Sequence, residues 1–169
     1  MFKSAVFLDR DGVINKDLGY VFKIDDVEWI SGSIEAIKLL NKKNFLVFVV
    51  TNQSGVARNF YSENDVKKLH RWMKNILKEK NAIINEFSYC PHHPDAINRK
   101  YRRECNCRKP NPGMIDKIIK NWQIDRKSSF LIGDNDTDIE AAYKAKINGY
   151  KFTSNNLLQF VQNIIQRKY

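Results

Sequence analysis

FLDRDG at residues 7–12 is the end of an apolar run that terminates in two aspartates and a glycine. Two further apolar runs end in polar, reactive side chains, in VVTNQSG at 49–55 and in LIGDNDTD at 131–138. Ligands of an open parallel sheet bind at the carboxyl ends of its strands, near the point where the strand order reverses. We therefore expect these three segments to meet in one crevice, with CRKPNPG at 107–113 approaching it.

The apolar residues around these segments alternate between two periodicities. Runs rich in β-branched and aromatic residues predict buried strands, and the stretches between them have the spacing of amphipathic helices. This alternation predicts a doubly wound α/β fold with a mainly parallel sheet. Ser62 with Asp65 is typical of a capping box that opens the second helix, and Pro112 suits the first turn of the third. The predicted strands are 5–8, 45–50, 86–89, 130–132 and 150–152, and the predicted helices are 34–40, 66–77, 114–119, 139–145 and 157–165.

The composition is that of a folded, soluble protein. Of the 169 residues, 43% are hydrophobic and 28% are charged, which excludes collagen-like, disordered and disulfide-scaffold classes. We expect one domain over residues 1–169, in the cytoplasm, with neither a membrane span nor a signal peptide. Lys and Arg total 29 against 19 Asp and Glu, a net charge of +10. This charge would attract anionic substrates or nucleic acid, or else it reflects a lysine-rich composition with no specific partner.

The aspartates at the strand ends indicate a site for a hard cation. Asp9, Asp11 and Asp134 would repel one another at neutral pH unless a cation such as Mg²⁺ bound among their oxygens. Magnesium in turn suggests phosphate, for which Thr51 offers a hydroxyl and Lys109 a positive charge. A single aspartate at a strand end is more often a turn or cap residue, but several such segments together favour a site.

These residues can divide the work of hydrolysing a phosphate monoester, a reaction that is extremely slow without a catalyst. Asp9 could attack phosphorus to give an aspartyl-phosphate. Asp11 could protonate the leaving alkoxide and later take a proton from water. Gly12 would let the backbone turn sharply after the pair, and N–H groups of the turn at 52–55 could cradle anionic oxygens. The sequence therefore predicts a Mg²⁺-dependent phosphatase.

The three cysteines lie in one short window together with a histidine. Cys90 and His92 form a C-x-H pair, and Cys105 and Cys107 form a C-x-C pair after a gap of twelve residues. Two close pairs of soft or borderline ligands suit a closed tetrahedral Zn²⁺ site, which is structural rather than catalytic. We predict that zinc staples the loop at 90–107, the alternative being ordinary thiols beside a solvent-exposed histidine.

The other two histidines have no predicted role. His93 directly follows His92, and the spacing alone allows either of them as the fourth ligand. His70 falls in the second predicted helix, where we expect it at the surface or at its boundary.

The motifs together resemble the haloacid dehalogenase-like phosphatases, through D-x-D-G, a threonine after the second strand, a lysine before proline, and G-D-x-x-x-D. More narrowly, they are similar to the bacterial D-glycero-D-manno-heptose 1,7-bisphosphate 7-phosphatases. The resemblance runs from about residue 3 to about residue 147, and it implies a Rossmann-like fold without a large cap domain. The segments that carry it are DRDGVIN at 9–15, DLGYV at 17–21, TNQSGVAR at 51–58, YCPHHP at 89–94 and CNCRKPNPGM at 105–114.

The resemblance implies a role for each matching residue in the reaction. Asp9 would be the nucleophile and Asp11 the acid/base. Mg²⁺ would bind Asp9, the backbone carbonyl of Asp11, and Asp134. Thr51 and Lys109 would hold the phosphoryl group during its transfer.

The resemblance also implies the zinc ligands and the substrate contacts. Many members of the family carry a basic residue at position 135, whereas Asn135 keeps a hydrogen-bond donor without the charge. The implied zinc ligands are Cys90, His92, Cys105 and Cys107. The implied substrate contacts are Asp17, Leu18, Gly19, Tyr20, Thr51, Asn52, Gln53, Ser54, Arg108, Lys109 and Asn135.

The implied activity is removal of the C7 phosphate of heptose 1,7-bisphosphate, giving heptose 1-phosphate for nucleotide-activated heptose biosynthesis. The protein would act as a monomer on a small sugar bisphosphate, with no nucleic-acid or membrane partner. The closest alternative is a histidinol-phosphate phosphatase, which shares the aspartates and a similar zinc loop, although GYV, TNQSGVAR and CPHHP favour the heptose enzymes. An alternative of another class is a basic zinc-containing nucleic-acid module, or a DNA 3′-phosphatase with the same chemistry.

Overall fold

Five parallel strands form the central sheet of the computed structural model, which describes residues 2–168. The strand order is β3-β2-β1-β4-β5, and every neighbouring pair is parallel. The order runs outward in opposite directions from β1 and β4, so the switch point lies between these two strands. The strands are β1 (Ala5–Leu8), β2 (Leu46–Asn52), β3 (Glu86–Cys90), β4 (Phe130–Gly133) and β5 (Asn148–Lys151).

Helices cover both faces of this sheet. Val6 and Leu8 of β1 belong to a core shared with the first, second and fifth helices, whereas Ala5 and Phe7 belong to a core shared with the third and fourth. Alternate side chains of one strand thus feed two cores, as the pleat of a strand requires. The predicted doubly wound α/β fold is confirmed. The helices are α1 (Ser33–Lys42), α2 (Glu63–Glu79), α3 (Gly113–Trp122), α4 (Asp136–Lys144) and α5 (Leu157–Lys168), with a short 3-10 turn at Ile24–Asp26.

The local signals at helix starts and strand ends agree with the structure to within a few residues. The Ser62 hydroxyl accepts the Asp65 N–H at 3.2 Å, and the Asp65 carboxylate accepts the Ser62 N–H at 2.8 Å, so the predicted capping box is present. Pro112 is the N-cap of α3 rather than part of its first turn. Strand β5 begins at Asn148, two residues before the predicted start. The backbone of Asn148 pairs with Phe130 of β4, but the side chain of Asn148 is polar and gives no sign of a strand.

The loop between β3 and α3 has no helix or extended strand of its own over residues 91–112. Within residues 2–168 one sheet forms and no insertion builds a second, in agreement with the predicted lack of a large cap domain. The assignment of a single domain to 1–169 stays a prediction, and its two ends, Met1 and Tyr169, lie outside the described residues. No helix in the described part of the chain is both long enough and apolar enough to span a membrane.

Candidate active site

The carboxyl ends of the central strands meet around a cavity of about 300 Å³. Asp9 follows β1, Thr51 is the next-to-last residue of β2, and the residues after β4 close the third side. This arrangement follows from the parallel order of the strands, which brings their carboxyl ends to one edge of the sheet. The cavity is lined by Asp9, Asp11, Asp17, Gly19, Tyr20, Thr51, Asn52, Gln53, Ser54, Tyr61, Lys109, Asn135, Thr137 and Asp138.

Lys109 is the buried cation of this cavity, with 3% of its surface exposed. Its Nζ lies 2.8 Å from Asp9 Oδ1 and 2.5 Å from Asp138 Oδ1, and it donates to the Val50 carbonyl at 2.8 Å. Burial opposes the charge of Lys109, but the two carboxylates outweigh it and raise the pKa of Lys109 above its ordinary value. Lys109 therefore remains an ammonium that can hold a phosphoryl oxygen.

The position of Lys109 is fixed from β2. The Asn52 side chain accepts the Lys109 N–H at 3.0 Å and donates to the Lys109 carbonyl at 3.0 Å. This pair of hydrogen bonds ties the loop that follows β3 to the end of β2. Asn52 therefore acts on the site through Lys109 as well as by lining the cavity.

The carboxylates of the cavity carry more negative charge than Lys109 alone can balance. Burial raises the pKa of Asp9 to about 7, Lys109 opposes this rise, and Asp138 adds to it. Burial and Asp138 also raise the pKa of Asp134. Carboxylate oxygens of Asp9, Asp134 and Asp138 lie within 4.8 Å of one another. Lys109 contacts one oxygen each of Asp9 and Asp138, and its single charge leaves negative charge for a second cation. Asp9 and Asp134 could hold such a cation, since carboxylate oxygens are the ligands that Mg²⁺ prefers.

Gly12 allows the first and fourth strands to place their aspartates side by side. Its φ is +84°, and a Cβ at this position would collide with the Asp134 carboxylate. The Asn135 side-chain amide donates to Asp134 Oδ1 at 2.8 Å. Asn135 therefore lines the cavity while its amide is engaged by the neighbouring carboxylate.

Asp11 is held in place by side chains from the segments that follow β1 and β2. Arg10 Nη2 lies 3.0 Å from both carboxylate oxygens of Asp11, and Asn15 Nδ2 donates to Oδ1 at 2.9 Å. Gln53 Nε2 donates to Asp11 Oδ2 at 3.0 Å and to Thr51 Oγ1 at 2.9 Å. The Tyr61 hydroxyl donates to Gln53 Oε1 at 2.7 Å and so fixes the direction of this amide. Asp11 and Thr51 are thereby held next to each other.

The predicted substrate contacts divide into those that line the cavity and those that do not. Gly19 (φ +75°) and Tyr20 (φ +55°) form a turn in which the Gly19 N–H donates to Asp17 Oδ1 at 3.0 Å, and this turn closes one side of the cavity. Leu18 does not line it and is 52% exposed. Arg108 is also outside the lining, and its Nη1 donates to the His92 carbonyl at 3.2 Å.

The predicted cysteine cluster is brought together, with His92 as its fourth member. The Sγ and Nδ1 atoms of neighbouring members are 3.6, 3.5, 3.4 and 3.3 Å apart, and Cys90 Sγ and Cys107 Sγ are 2.8 Å apart. The edges of a tetrahedron of sulfur and nitrogen ligands around Zn²⁺ are roughly 3.5–3.8 Å long, so four of these separations are close to them and the Cys90–Cys107 separation is shorter. The four donors can therefore hold a metal ion. His93 instead accepts the Asp95 N–H at its Nδ1.

The sequence motifs do not predict five residues of the site. Three of them line the cavity, and two are buried behind it. Asp138 is the last residue of the G-D-x-x-x-D motif, so this motif could have predicted its place in the site. Tyr61 and Thr137 have no comparable signal. Arg10, which lies between the two aspartates of the first motif, and His70 were also missed.

The expectation that His70 lies at the surface or its boundary is wrong, because 6% of it is exposed. Position 70 is four residues after Val66 and three before Met73, so the helical spacing puts it on the buried face of α2. The His70 ring stacks on Phe87 at 4.8 Å, and its Nε2 lies 3.1 Å from Arg10 Nη1.

The buried His70 is expected to make the protein less stable in mild acid. Burial and the neighbouring Arg10 hold the pKa of His70 well below its ordinary value of 6.5. The unfolded chain therefore binds a proton at pH values just below 6.5 that the folded chain rejects. The free energy of unfolding should fall there by up to about 1.4 kcal/mol per pH unit from this group. Urea unfolding of the protein and of His70→Gln between pH 5 and pH 7 measures this change of the free energy of unfolding with pH. The variant should lack the part of the pH dependence that comes from His70.

Removal of the partly exposed His93 supplies the control for this prediction. The pKa of His93 is also lowered, by slight burial and by Arg108 and Arg58, but His93 is not enclosed by the fold. His93→Gln should change the slope less than His70→Gln does. Equal slopes for the protein and for His70→Gln would contradict the prediction.

Known proteins resemble this chain along nearly its whole length. A family model described as polynucleotide kinase 3 phosphatase matches residues 5–165. The D-glycero-beta-D-manno-heptose-1,7-bisphosphate 7-phosphatase of Rhodopseudomonas palustris is 44% identical over 163 residues, which are 96% of this chain and 91% of that protein. The D-glycero-alpha-D-manno-heptose-1,7-bisphosphate 7-phosphatase of Photorhabdus laumondii is 45% identical over 144 residues, 85% of this chain and 79% of that protein.

A solved structure has the same fold. The crystal structure of D,D-heptose 1,7-bisphosphate phosphatase from B. bronchiseptica, complexed with magnesium and phosphate, superposes with a TM-score of 0.84 at 27% identity, covering 97% of this chain and 99% of that one. The extent of these matches agrees with the strand-end motifs and the cysteine cluster. The chain therefore belongs to the phosphatase family that the model describes and, within it, groups with the haloacid dehalogenase-like D-glycero-D-manno-heptose 1,7-bisphosphate 7-phosphatases.

Proposed function

We propose that this enzyme removes the C7 phosphate of D-glycero-D-manno-heptose 1,7-bisphosphate through an aspartyl-phosphate intermediate. The observation that carries the proposal is the buried Asp9–Lys109 pair next to Asp11, in a chain 44% identical over 96% of its length to a relative named for this reaction. The product is heptose 1-phosphate, a substrate for nucleotide activation. A histidinol-phosphate phosphatase is not favoured, since the relatives named above are heptose enzymes.

The first half-reaction transfers the phosphoryl group to Asp9. An oxygen of the Asp9 carboxylate attacks phosphorus, the bond from phosphorus to the C7 oxygen breaks, and Asp11 gives a proton to that oxygen. Lys109 and Thr51 hold the phosphoryl oxygens while charge develops on them. In the second half-reaction Asp11 takes a proton from water, the water oxygen attacks phosphorus, and Asp9 is released as a carboxylate.

Asp9, the backbone carbonyl of Asp11, and Asp134 would hold Mg²⁺. The raised pKa values of Asp9 and Asp134 support this assignment, because they indicate negative charge that a cation would neutralise. When bound, Mg²⁺ supplies positive charge that favours ionised Asp9 and offsets the repulsion between this nucleophile and the phosphate.

Zinc on Cys90, His92, Cys105 and Cys107 would give the loop between β3 and α3 a rigid core. Arg108 directly follows the last of these ligands, and Lys109 comes next. Rigid placement of Lys109 matters for the rate, because a positioning group displaced by about 1 Å can cost on the order of a hundredfold. We assign Arg108 to the sugar or its second phosphate, together with Asn135 and the turn at 17–20.

We further propose that the single domain 1–169 works as a monomer in the cytoplasm. The monomer is the state that the family resemblance implies. A sugar bisphosphate carries several negative charges and does not cross a membrane unaided, so its hydrolysis is expected where it is made.

Phosphate release in the presence of Mg²⁺ tests the substrate. Relatives are named for each anomer, so both anomers of heptose 1,7-bisphosphate are compared with histidinol phosphate. The substrates are compared by kcat/KM, because the ratio of their kcat/KM values is the specificity of an enzyme. We expect kcat/KM for one heptose anomer to exceed that for histidinol phosphate by at least about 100-fold. A preference for histidinol phosphate would overturn the substrate and leave the aspartate chemistry standing.

A 3′-phosphorylated oligonucleotide should be tested as well, because of the description of the matched family model and the net charge of +10. We expect it to be hydrolysed less efficiently than the heptose bisphosphate. Electrostatic binding of DNA would also weaken steeply as salt is raised. A higher kcat/KM for the oligonucleotide at about 150 mM salt would replace the heptose proposal by a DNA 3′-phosphatase.

A further inference from the structure

Arg10 is a fully buried arginine that lies between the two aspartates of the first motif and has 1% of its surface exposed. A buried guanidinium is unfavourable unless its N–H donors are paired. Arg10 Nε and Nη2 both donate to Asp11, at 3.0 to 3.2 Å, and Nη2 also donates to the Val21 carbonyl at 2.6 Å. One edge of the guanidinium is thus committed to the Asp11 carboxylate.

The other terminal nitrogen, Nη1, lies 3.1 Å from His70 Nε2. A guanidinium has donors and no acceptor, so in this hydrogen bond His70 Nε2 is the acceptor. His70 is therefore neutral, with its proton on Nδ1. The direction of the lowered His70 pKa agrees with this state.

The His70 ring cannot turn freely away from Arg10. Phe87 stacks on it with ring centroids 4.8 Å apart, and Tyr89 packs edge-on with centroids 5.8 Å apart. Both aromatic residues belong to β3, while His70 belongs to α2. The helix and the edge strand together hold one acceptor in front of Arg10, outside the cavity lining.

We propose that His70 is a positioning residue for the proton transfer by Asp11. It anchors the outer nitrogen of Arg10, and Arg10 in turn holds the Asp11 carboxyl in the direction from which it gives its proton to the leaving alkoxide. After that transfer the positive charge of Arg10 stabilises the Asp11 carboxylate. The inference rests on the proposed function, since it takes Asp11 as the acid.

Removal of the His70 acceptor should therefore cause a loss of rate that depends on the leaving group. A sugar alkoxide leaves slowly without a proton, whereas p-nitrophenolate is stable as an anion and needs none. A weakened acid step therefore slows the phosphoryl transfer from a sugar ester and spares the transfer from p-nitrophenyl phosphate. General acid catalysis contributes about 10²- to 10⁴-fold, and a misdirected acid loses part of this factor.

The experiment measures release of the leaving group in the first turnover by rapid quench, with heptose 1,7-bisphosphate and with p-nitrophenyl phosphate. For His70→Phe, which keeps a ring against Phe87 and removes the acceptor, we expect the rate with the sugar ester to fall by about 10- to 100-fold. The rate with p-nitrophenyl phosphate should stay within about twofold, and KM for the sugar ester should be unchanged. His70→Gln, which keeps an acceptor oxygen, should recover most of the lost rate.

Equal losses with both substrates, or no loss with either, would overturn the role of His70 as a positioning residue. Failure of His70→Gln to recover any rate would do the same. Should His70→Phe fail to fold, His70→Met removes the acceptor with a flexible side chain and carries the same expectation.

Asp11→Asn separates the failure of this inference from failure of the proposed function. It should reproduce the leaving-group pattern in a stronger form, because it removes the acid itself. Equal first-turnover losses with both substrates in Asp11→Asn would remove Asp11 as the acid and with it the proposed mechanism. The expected pattern in Asp11→Asn together with its absence in the His70 variants would reject the inference alone.

Discussion

Replacing Asp9 by asparagine is expected to lower kcat by about 10⁵-fold or more while the protein stays folded. The amide cannot form an acyl phosphate under these conditions, so the covalent route is lost rather than slowed. Asparagine has nearly the same shape, and Lys109 keeps its ion pair with Asp138. The measurement is phosphate release in the presence of Mg²⁺, with circular dichroism to follow folding.

The thermal stability of this variant is informative as well. Burial raises the pKa of Asp9 to about 7, so the Asp9 charge is costly to the fold at neutral pH. Asp9→Asn should therefore melt at the same temperature as the parent protein or higher, even though it is inactive. Asp25→Asn, a substitution of the same kind at an exposed site, is the matched control and should keep full activity. Turnover close to that of the parent protein in Asp9→Asn would remove Asp9 as the nucleophile.

The sequence predicts the fold because the central strands are buried on both faces. The four residues of β1 are all apolar and all buried, and such a strand forms a continuous apolar run that ends abruptly at Asp9. Edge strand β5 was placed two residues too late. Its end residues Asn148 and Lys151 are exposed, so the backbone pairing at its start has no side-chain signal.

The sequence predicts those site residues whose reactive side chains lie near strand ends. It is less informative about residues that affect the site only by positioning another side chain. Thr51 and Lys109 were found because a parallel sheet gathers its carboxyl ends. The contact of Arg10 with His70 spans 60 residues of chain, and a single sequence does not show which buried donor meets which acceptor. His70 alone was within reach, since helical spacing puts it on the apolar face of α2.

The outer residues of the site are implied by the family resemblance rather than by strand ends, and their roles stay predictions. Leu18 and Arg108 were assigned to the substrate through the family resemblance, and neither lines the cavity. Gln53 does line it, but its amide is engaged by Asp11 and Thr51, which makes it a support as much as a contact. Motif matching identifies segments, and the direction of each side chain follows only from the packing around it.

Removal of the proposed zinc is expected to lower the melting temperature of the enzyme by roughly 6–12 °C, equivalent to about 3 kcal/mol for a domain of this size. The loop at 91–112 has no helix or strand to hold it. Its order would then depend on the metal bonds, whose free energy of formation is also free energy of folding. Thermal melts before and after chelation, with Mg²⁺ restored in excess and the zinc content measured, test this expectation.

Activity should fall together with stability, because the cysteine cluster and Lys109, to which we assign the phosphoryl group, share one segment. Cys107 is two residues before Lys109, and the only backbone hydrogen bonds described for Lys109 are those to the Asn52 side chain. Once the loop loosens, the backbone of Lys109 is held by these two bonds alone, and kcat should drop more than KM rises.

Cys107→Ser should reproduce both effects of chelation, since serine is a poor ligand for zinc. His93→Ala is the matched control, because His93 lies next to the ligand His92 and outside the cluster. It should retain one zinc ion per chain and the parent melting temperature. An unchanged melting temperature after verified metal removal, or a purified enzyme without zinc, would mean that hydrogen bonds such as that from Tyr101 to Glu63 hold the loop without a metal.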